Sequence, residues 1–486
     1  MKQYIPNYLW ILLLTISVIS CKKDPSRISS PPKPVEPVDN RTESQKIRDS
    51  IYFYYKQQSY WESSIDVFKP ISTLTDSYSS NQGLLNYLMG ETPVKNDYEY
   101  HKDYNGPLDR FSFIEDISGS SGNSGKADTY DGFGLFVIFE SSAANAPLYI
   151  GFVEGGSPAD KAGLKRGDKI TSLNGNSNIT YSNFSYVNNQ LNKTHLDLVV
   201  LRDNKTSIEV GIDSDEYEIY PIVKDTVFTV ADKKVGYLAY SSFEELSYDN
   251  GSFTKMRTEL ERIFTKFATN NIKDIILDIR YNGGGYVSTA SYLANKVINS
   301  AGNNKLMFSY DLNKNLQSER TGNGDFKDVY FRKNNSTEIE NVYFLVSDYT
   351  ASASEILISV LKPYMNVEII AETSSTYGKP VGFFPQDIMG KINLWAASFK
   401  VVNAANYSDY WDGIEATKKN VLDDISKDFG NATESMTAMA LAHIETGVYP
   451  AKSPSARIGA RTTNTSNAKP QPVNKIRERN LIKDRK

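Results

Sequence analysis

A chain of 486 residues is longer than one ordinary compact domain and calls for two to four units with linkers. With 40% hydrophobic and 23% charged residues it is composed like a soluble globular protein, and a formal net charge of −4 excludes the basic footprint of a nucleic-acid binder. The only cysteine, Cys21, excludes an internal disulfide and any cysteine-based metal cluster.

Met1 to Ser20 opens with Lys2, continues through the apolar run Leu9 to Leu14, and ends in Val18-Ile19-Ser20 directly before Cys21. That order reads as a secretory signal, and its apolar part is short for a retained membrane span. Val-Ile-Ser-Cys resembles the lipobox of bacterial lipoproteins, which implies cleavage after Ser20, a lipid on Cys21 and a place in the cell envelope facing the periplasm. A signal anchor, or a buried cysteine, is the other reading. Residues 21–41 hold Pro25, Pro31, Pro32, Pro34 and Pro37 and are predicted to be an extended spacer. Residues 42–125 begin with Ile47, Ile51, Tyr54 and Tyr55 at helical spacing, which predicts a small helical domain. At the other end, residues 450–486 carry ten Lys/Arg against two acids, a charge of +8 that leaves −12 on the rest. Without apolar periodicity, this stretch is predicted to be a disordered basic tail.

Between 126 and 215 the pattern changes to short strands punctuated by Gly, Asn and Asp: Leu135 to Phe139, Leu148 to Ile150, Lys169 to Leu173 and Leu196 to Leu201. Gly156-Ser157-Pro158 opens a short helix that stops at Gly163, and Gly167-Asp168 turns the chain back into a strand. This stretch resembles a PDZ domain, and Gly132-Phe133-Gly134-Leu135 resembles that family's carboxylate-binding loop. A glycine-rich turn exposes consecutive backbone N–H groups that can receive a peptide's terminal carboxylate while its last residues add as a strand. Protein substrates with free C-termini are the partners this implies. Taken alone, the four residues equally fit a tight turn without a ligand.

From 216 to 449 buried strands alternate with helices: Val235 to Tyr240, then an apolar stripe at Phe253, Met256, Leu260, Ile263, Phe264 and Phe267, then Ile275 to Ile279. Two turns follow strands of this kind, Asp278-Ile279-Arg280-Tyr281-Asn282-Gly283-Gly284-Gly285 and Thr350-Ala351-Ser352-Ala353-Ser354-Glu355, and a third stretch runs Thr376-Tyr377-Gly378-Lys379. In this order and spacing they resemble the C-terminal processing (tail-specific) serine peptidases. The resemblance implies an α/β multidomain protein: helical N-terminal domain, mostly-β PDZ domain and a crotonase-like spiral of ββα units. It further implies Ser352 as nucleophile, Lys379 as general base, Gly284 and Ala353 as oxyanion donors, and Glu355 and Thr376 as support. No metal or cofactor is called for.

The residues carry a chemical argument of their own. A serine hydroxyl needs a base, and His101, His195 and His443 all lie far from Ser352 in sequence. Lysine replaces histidine when burial lowers its pKa from ~10.4 toward ~7–8, and Lys379 is followed by Pro380, Val381, Phe383 and Phe384. A helix starting near Ser354 would direct free N–H groups toward the Ser352 hydroxyl, with Ala353 N–H among them. Singly, each residue also fits a plainer role: Ser352 and Ser354 as helix caps, Lys379 as a solvated lysine, the glycines as a tight turn. Where some family members have an Asp or Gln to orient the lysine, this chain has Pro363 and Phe383, so a third catalytic residue stays unassigned. The alternative function is that of a catalytically inactive, peptide-binding relative.

Overall fold

The computed structural model of the protein describes residues 40–94, 106–118, 129–248, 250–451 and 470–474. Cys21, the signal, the proline-rich spacer and His101 lie outside them. The chain divides into a short unit, Met1–Glu43, of which only residues 40–43 are described, and a unit Ser44–Lys486 that holds the architecture.

The chain begins with helices α1 (Glu43–Gln58), α2 (Ser72–Thr75) and α3 (Asn81–Gly90), followed by strand β1 (Phe113–Asp116). The PDZ-like part comprises β2 (Thr129–Gly132), β3 (Leu135–Phe139), β4 (Leu148–Val153), α4 (Pro158–Lys161), β5 (Lys169–Leu173), α5 (Phe184–Leu191), β6 (His195–Arg202), β7 (Thr206–Asp213) and β8 (Asp215–Glu218). The remainder comprises β9 (Ile222–Val230), β10 (Lys233–Tyr240), α6 (Lys255–Thr269), β11 (Asp274–Asp278), α7 (Val287–Val297), β12 (Leu306–Leu312), β13 (Val329–Tyr330), β14 (Asn341–Val346), α8 (Ala353–Leu361) and β15 (Asn366–Ala371). After these come β16 (Val381–Gly382), β17 (Pro385–Ile388), β18 (Ile392–Trp395), β19 (Phe399–Asn403), α9 (Ser435–Thr446) and β20 (Gln471–Pro472). The expected mixed α/β architecture with a helical N-terminal region is present.

The sheet that organises the site runs β15-β14-β11-β10-β9, parallel across its first four strands, with β9 antiparallel at the edge. Its strands are near-continuous apolar runs because both faces are covered. Alternation along β10 shows the division: Leu238 and Tyr240 join the core under α6, α7 and α8, while Val235, Tyr237 and Ala239 face α9 and the PDZ residues Phe136, Ile138 and Phe152. The PDZ sheet thus packs directly on the second face.

The structure adds to two expectations. The helical N-terminal region also contributes a strand, because Phe113–Asp116 pairs as β1 with β18, and Ile388, Ile392 and Leu394 share a core with α1 and α3. A four-residue strand is too short to show periodicity, and its partner lies far along the chain. The tail is not wholly irregular. Residues 471–472 form β20, antiparallel to β3, a pairing supplied by the exposed edge of β3 rather than by any pattern in the tail.

Candidate active site

Three loops meet where the carboxyl ends of neighbouring parallel strands lie side by side, the usual place for a cleft in such a sheet. The loop after β11 carries Asn282 to Gly285, the loop after β14 carries Ser352, and the loop after β15 carries Thr376 to Lys379. Adjacency of β11, β14 and β15 brings together residues that are remote in sequence.

Ser352 caps α8 with φ 64° and ψ −117°, a strained conformation for a residue with a Cβ. It is fully buried, and its Oγ has no hydrogen-bond partner among the described residues. A buried hydroxyl without a partner costs about 1–3 kcal/mol, so the surroundings must enforce this position. What enforces it is the Glu355 carboxylate. It accepts hydrogen bonds from the Ser352 N–H (2.8 Å), the Thr376 hydroxyl (2.6 Å), the Gly378 N–H (2.7 Å) and the Lys379 N–H (2.9 Å). One side chain thereby fixes the serine turn and the lysine loop to each other. Burial raises the Glu355 carboxyl above its ordinary value, while the Thr376 hydroxyl and the three backbone donors pull it down.

Lys379 is 4% exposed, and its Nζ lies 5.2 Å from the ring centre of Phe383 and 5.3 Å from that of Phe111. Phe383 therefore supplies an aromatic face to the lysine. Phe111 comes from the N-terminal region and carried no sequence signal. It is held by the Asp109 carboxylate, which accepts from the N–H groups of Phe111 (3.1 Å) and Ser112 (2.9 Å) and from the hydroxyls of Tyr55 (2.6 Å) and Ser112 (2.5 Å). No hydrogen bond joins Lys379 to Ser352 Oγ.

Gly284, with φ 117°, lies against the serine: a Cβ there would stand 2.6 Å from Ser352 Cβ and 3.0 Å from Oγ. Its N–H, however, donates to Asn282 Oδ1 at 3.0 Å. The expected second oxyanion donor is therefore engaged in this conformation, because an Asn two residues upstream closes its own turn. Ala353 N–H has no acceptor among the described residues. Asn282, which the sequence reading passed over, ties the loops further: its Nδ2 donates to Tyr240 O (3.0 Å), and its carbonyl accepts from Ala351 N–H (3.2 Å) and Ser354 Oγ (3.0 Å).

Two residues before Asn282 stands Arg280, at the centre of a buried ion cluster. Its guanidinium pairs with both oxygens of Asp278 (2.9 and 2.8 Å) and of Glu434 (3.0 and 2.9 Å) and also bonds Asp423. Asp423 in turn takes Tyr281 and the PDZ residue Arg166. His195, on β6 beside Asp213, and His443, on α9 beside Tyr343, bond neither Ser352 nor Lys379.

In the PDZ-like part, Gly132, Phe133, Gly134 and Leu135 line a cavity of about 370 Å³ together with Leu191 and Tyr217. Gly134 has no room for a side chain, since a Cβ would fall 2.1 Å from Ser157 Cβ. The N–H groups of Phe133 and Gly134 have no acceptor among the described residues.

A strained, buried serine with a helix N–H beside it and a buried lysine thus stand at one end of the sheet on which the domain with the glycine loop packs. Residues 234–409 match peptidase family S41, and residues 151–202 match a PDZ domain. The chain thus carries a PDZ domain and a domain of peptidase family S41. It is 28% identical over 227 residues to the carboxy-terminal processing protease CtpA of Bacillus subtilis, covering 46% of this chain and 42% of that one. It is 25% identical over 260 residues to a probable CtpA-like serine protease of Staphylococcus aureus, covering 53% and 46%. The match thus spans less than half the length of these relatives. The crystal structure of a putative S41 protease from Bacteroides fragilis shares the fold, with a TM-score of 0.61, 22% identity and coverage of 82% of this chain and 98% of that one.

Proposed function

We propose that the chain is a serine endopeptidase that cuts proteins near their C-termini, with Ser352 as nucleophile and Lys379 as base. The observation that carries this reading is the Glu355 carboxylate, which holds the Ser352 turn and the Lys379 backbone together around an Oγ left without a partner. In the reaction Ser352 Oγ attacks a peptide carbonyl while Lys379 Nζ takes its proton. The Ala353 N–H receives the developing oxyanion, and the Gly284 N–H joins it once released by Asn282. The protonated lysine then gives its proton to the departing amine, and water hydrolyses the acyl-enzyme. Relatives named carboxy-terminal processing and CtpA-like proteases support this reading, and the glycine loop of the PDZ domain offers N–H groups to a substrate's terminal carboxylate.

A second reading, a peptide-binding relative without activity, is favoured by the buried state of Ser352 and the engaged Gly284 N–H. A fluorophosphonate probe separates the two. The wild type should label and Ser352→Ala should not, and a wild type that stays unlabelled would leave only the binding reading.

We also propose that the chain is tethered to the bacterial envelope by a lipid on Cys21, on the strength of the residues before it. Cys21→Ser should move the protein from the membrane to the soluble fraction. Unchanged membrane partition of that variant would remove the proposal.

A further inference from the structure

Strand β3 is buried on both faces, yet its free edge is the natural place for a peptide to add. The chain's own residues 470–474 already lie there. Gln471 pairs with Phe139 and Pro472 with Ile138, antiparallel and running toward the Gly132–Gly134 loop. Val473 N–H donates to Val137 O at 3.1 Å, and Val473 is 7% exposed, its side chain part of the PDZ core. The Asn474 carboxamide continues the ladder in place of a peptide group: Oδ1 accepts from Val137 N–H at 3.0 Å, and Nδ2 donates to Leu135 O at 2.7 Å. Asn474 also lines the cavity that contains Gly132 to Leu135.

We propose that residues 470–474 are a built-in occupant of the PDZ groove, which an incoming peptide must displace before it can bind. The N–H and C=O of Val137 and the C=O of Leu135 are the groups a ligand strand would use, and all three are engaged by the tail. Pro470 and Pro472 have no N–H to donate, so β20 offers a poor outer edge for a further strand. Eighteen residues, 452–469, separate this segment from Ala451. Belonging to the same chain holds the segment at an effective concentration on the order of 1 mM, so a tail with Kd of about 0.1 mM in trans weakens an external peptide about tenfold. The proposal concerns binding alone and stands or falls separately from the chemistry of Ser352.

The probe is a fluorescein-labelled synthetic peptide spanning Ala468 to Ile476, measured by fluorescence polarisation. It should bind the chain ending at Ala451 at least tenfold more tightly than the full chain. Val473→Asp in the full chain should open the groove to a similar degree, and faster hydrogen exchange at the Val137 amide of that intact variant should report the same opening if the truncated chain folds poorly. Placing Asn474→Ala in the peptide should weaken it. Equal affinity for full and truncated chains, or no change in Val137 exchange on Val473→Asp, would overturn the proposal. So would a difference that vanishes on dilution, because the occupant would then come from a second copy.

Discussion

Lys379→Arg is expected to lower turnover of an unfolded model substrate by about 10²–10⁴-fold, the range that general-base catalysis contributes. The substitution keeps the positive charge and the aromatic neighbours Phe111 and Phe383, and the backbone N–H of residue 379 still reaches Glu355. A guanidinium stays protonated, however, and cannot take the Ser352 proton. The fold should survive, because the faces of Phe111 and Phe383 can also stack on a guanidinium and the main-chain bond to Glu355 does not depend on the side chain. Thermal unfolding near that of the wild type, with turnover lost, is the expected pair of results. Retention of most of the turnover would show that another group removes the proton.

The site was legible to the extent that its chemistry sits on turns after apolar strands. Ile275 to Ile279 and Val342 to Val346 read as buried strands, and the Gly-Gly-Gly and Ser-Ala-Ser stretches lie in the turns that follow them, which is why Gly284 and Ser352 stand out in the sequence. Glu355 and Thr376 were named as support, and the structure joins them at 2.6 Å. What the sequence concealed was every partner set by tertiary packing. Phe111 reaches Lys379 from a segment whose own anchor is Asp109, and nothing local announces that contact. Asn282 is visible in the sequence as an ordinary turn residue, and an Asx turn that engages Gly284 N–H follows from its position two residues upstream.

The same distinction explains the tail. Pro470-Gln471-Pro472-Val473-Asn474 offers two prolines and no alternation, so no strand is predicted from it. It becomes one because β3 presents an open edge and an apolar site for Val473. Short strands formed by docking take their structure from the partner, and composition then describes only the unbound state. The PDZ stretch behaved otherwise: its Ser157 cap, Pro158 start and glycine stop are local signals, and they produced α4 where they stood.

Arg280→Met is expected to cost about 3–5 kcal/mol of stability, the cost of breaking a buried ion pair by removing one partner. Methionine fills part of the volume but leaves Asp278, Asp423 and Glu434 without the guanidinium that bridges them, while Arg166 still pairs with Asp423. Burial by itself would raise the Asp423 carboxyl, but Arg166, Arg280 and the Tyr281 hydroxyl outweigh it and hold it at about 2. Glu434 is likewise held below its ordinary value, with Arg280 overcoming burial. Because both carboxyls are depressed in the folded state, their contribution is fully present above the unfolded values of ~4 and disappears as pH falls through the folded ones. Wild-type stability should therefore drop steeply from about pH 4 toward pH 2, and Arg280→Met should start lower and fall less over that interval. Urea unfolding at neutral and acid pH reads both effects. Arg280 also directly precedes the turn that sets Asn282 and Gly284 against Ser352, and its carbonyl accepts from Ser347 Oγ, so loosening it should reduce fluorophosphonate labelling of Ser352 even under conditions where the chain is still folded. A stability loss below about 1 kcal/mol would mean that the cluster relaxes onto Arg166 and water and does not anchor the turn.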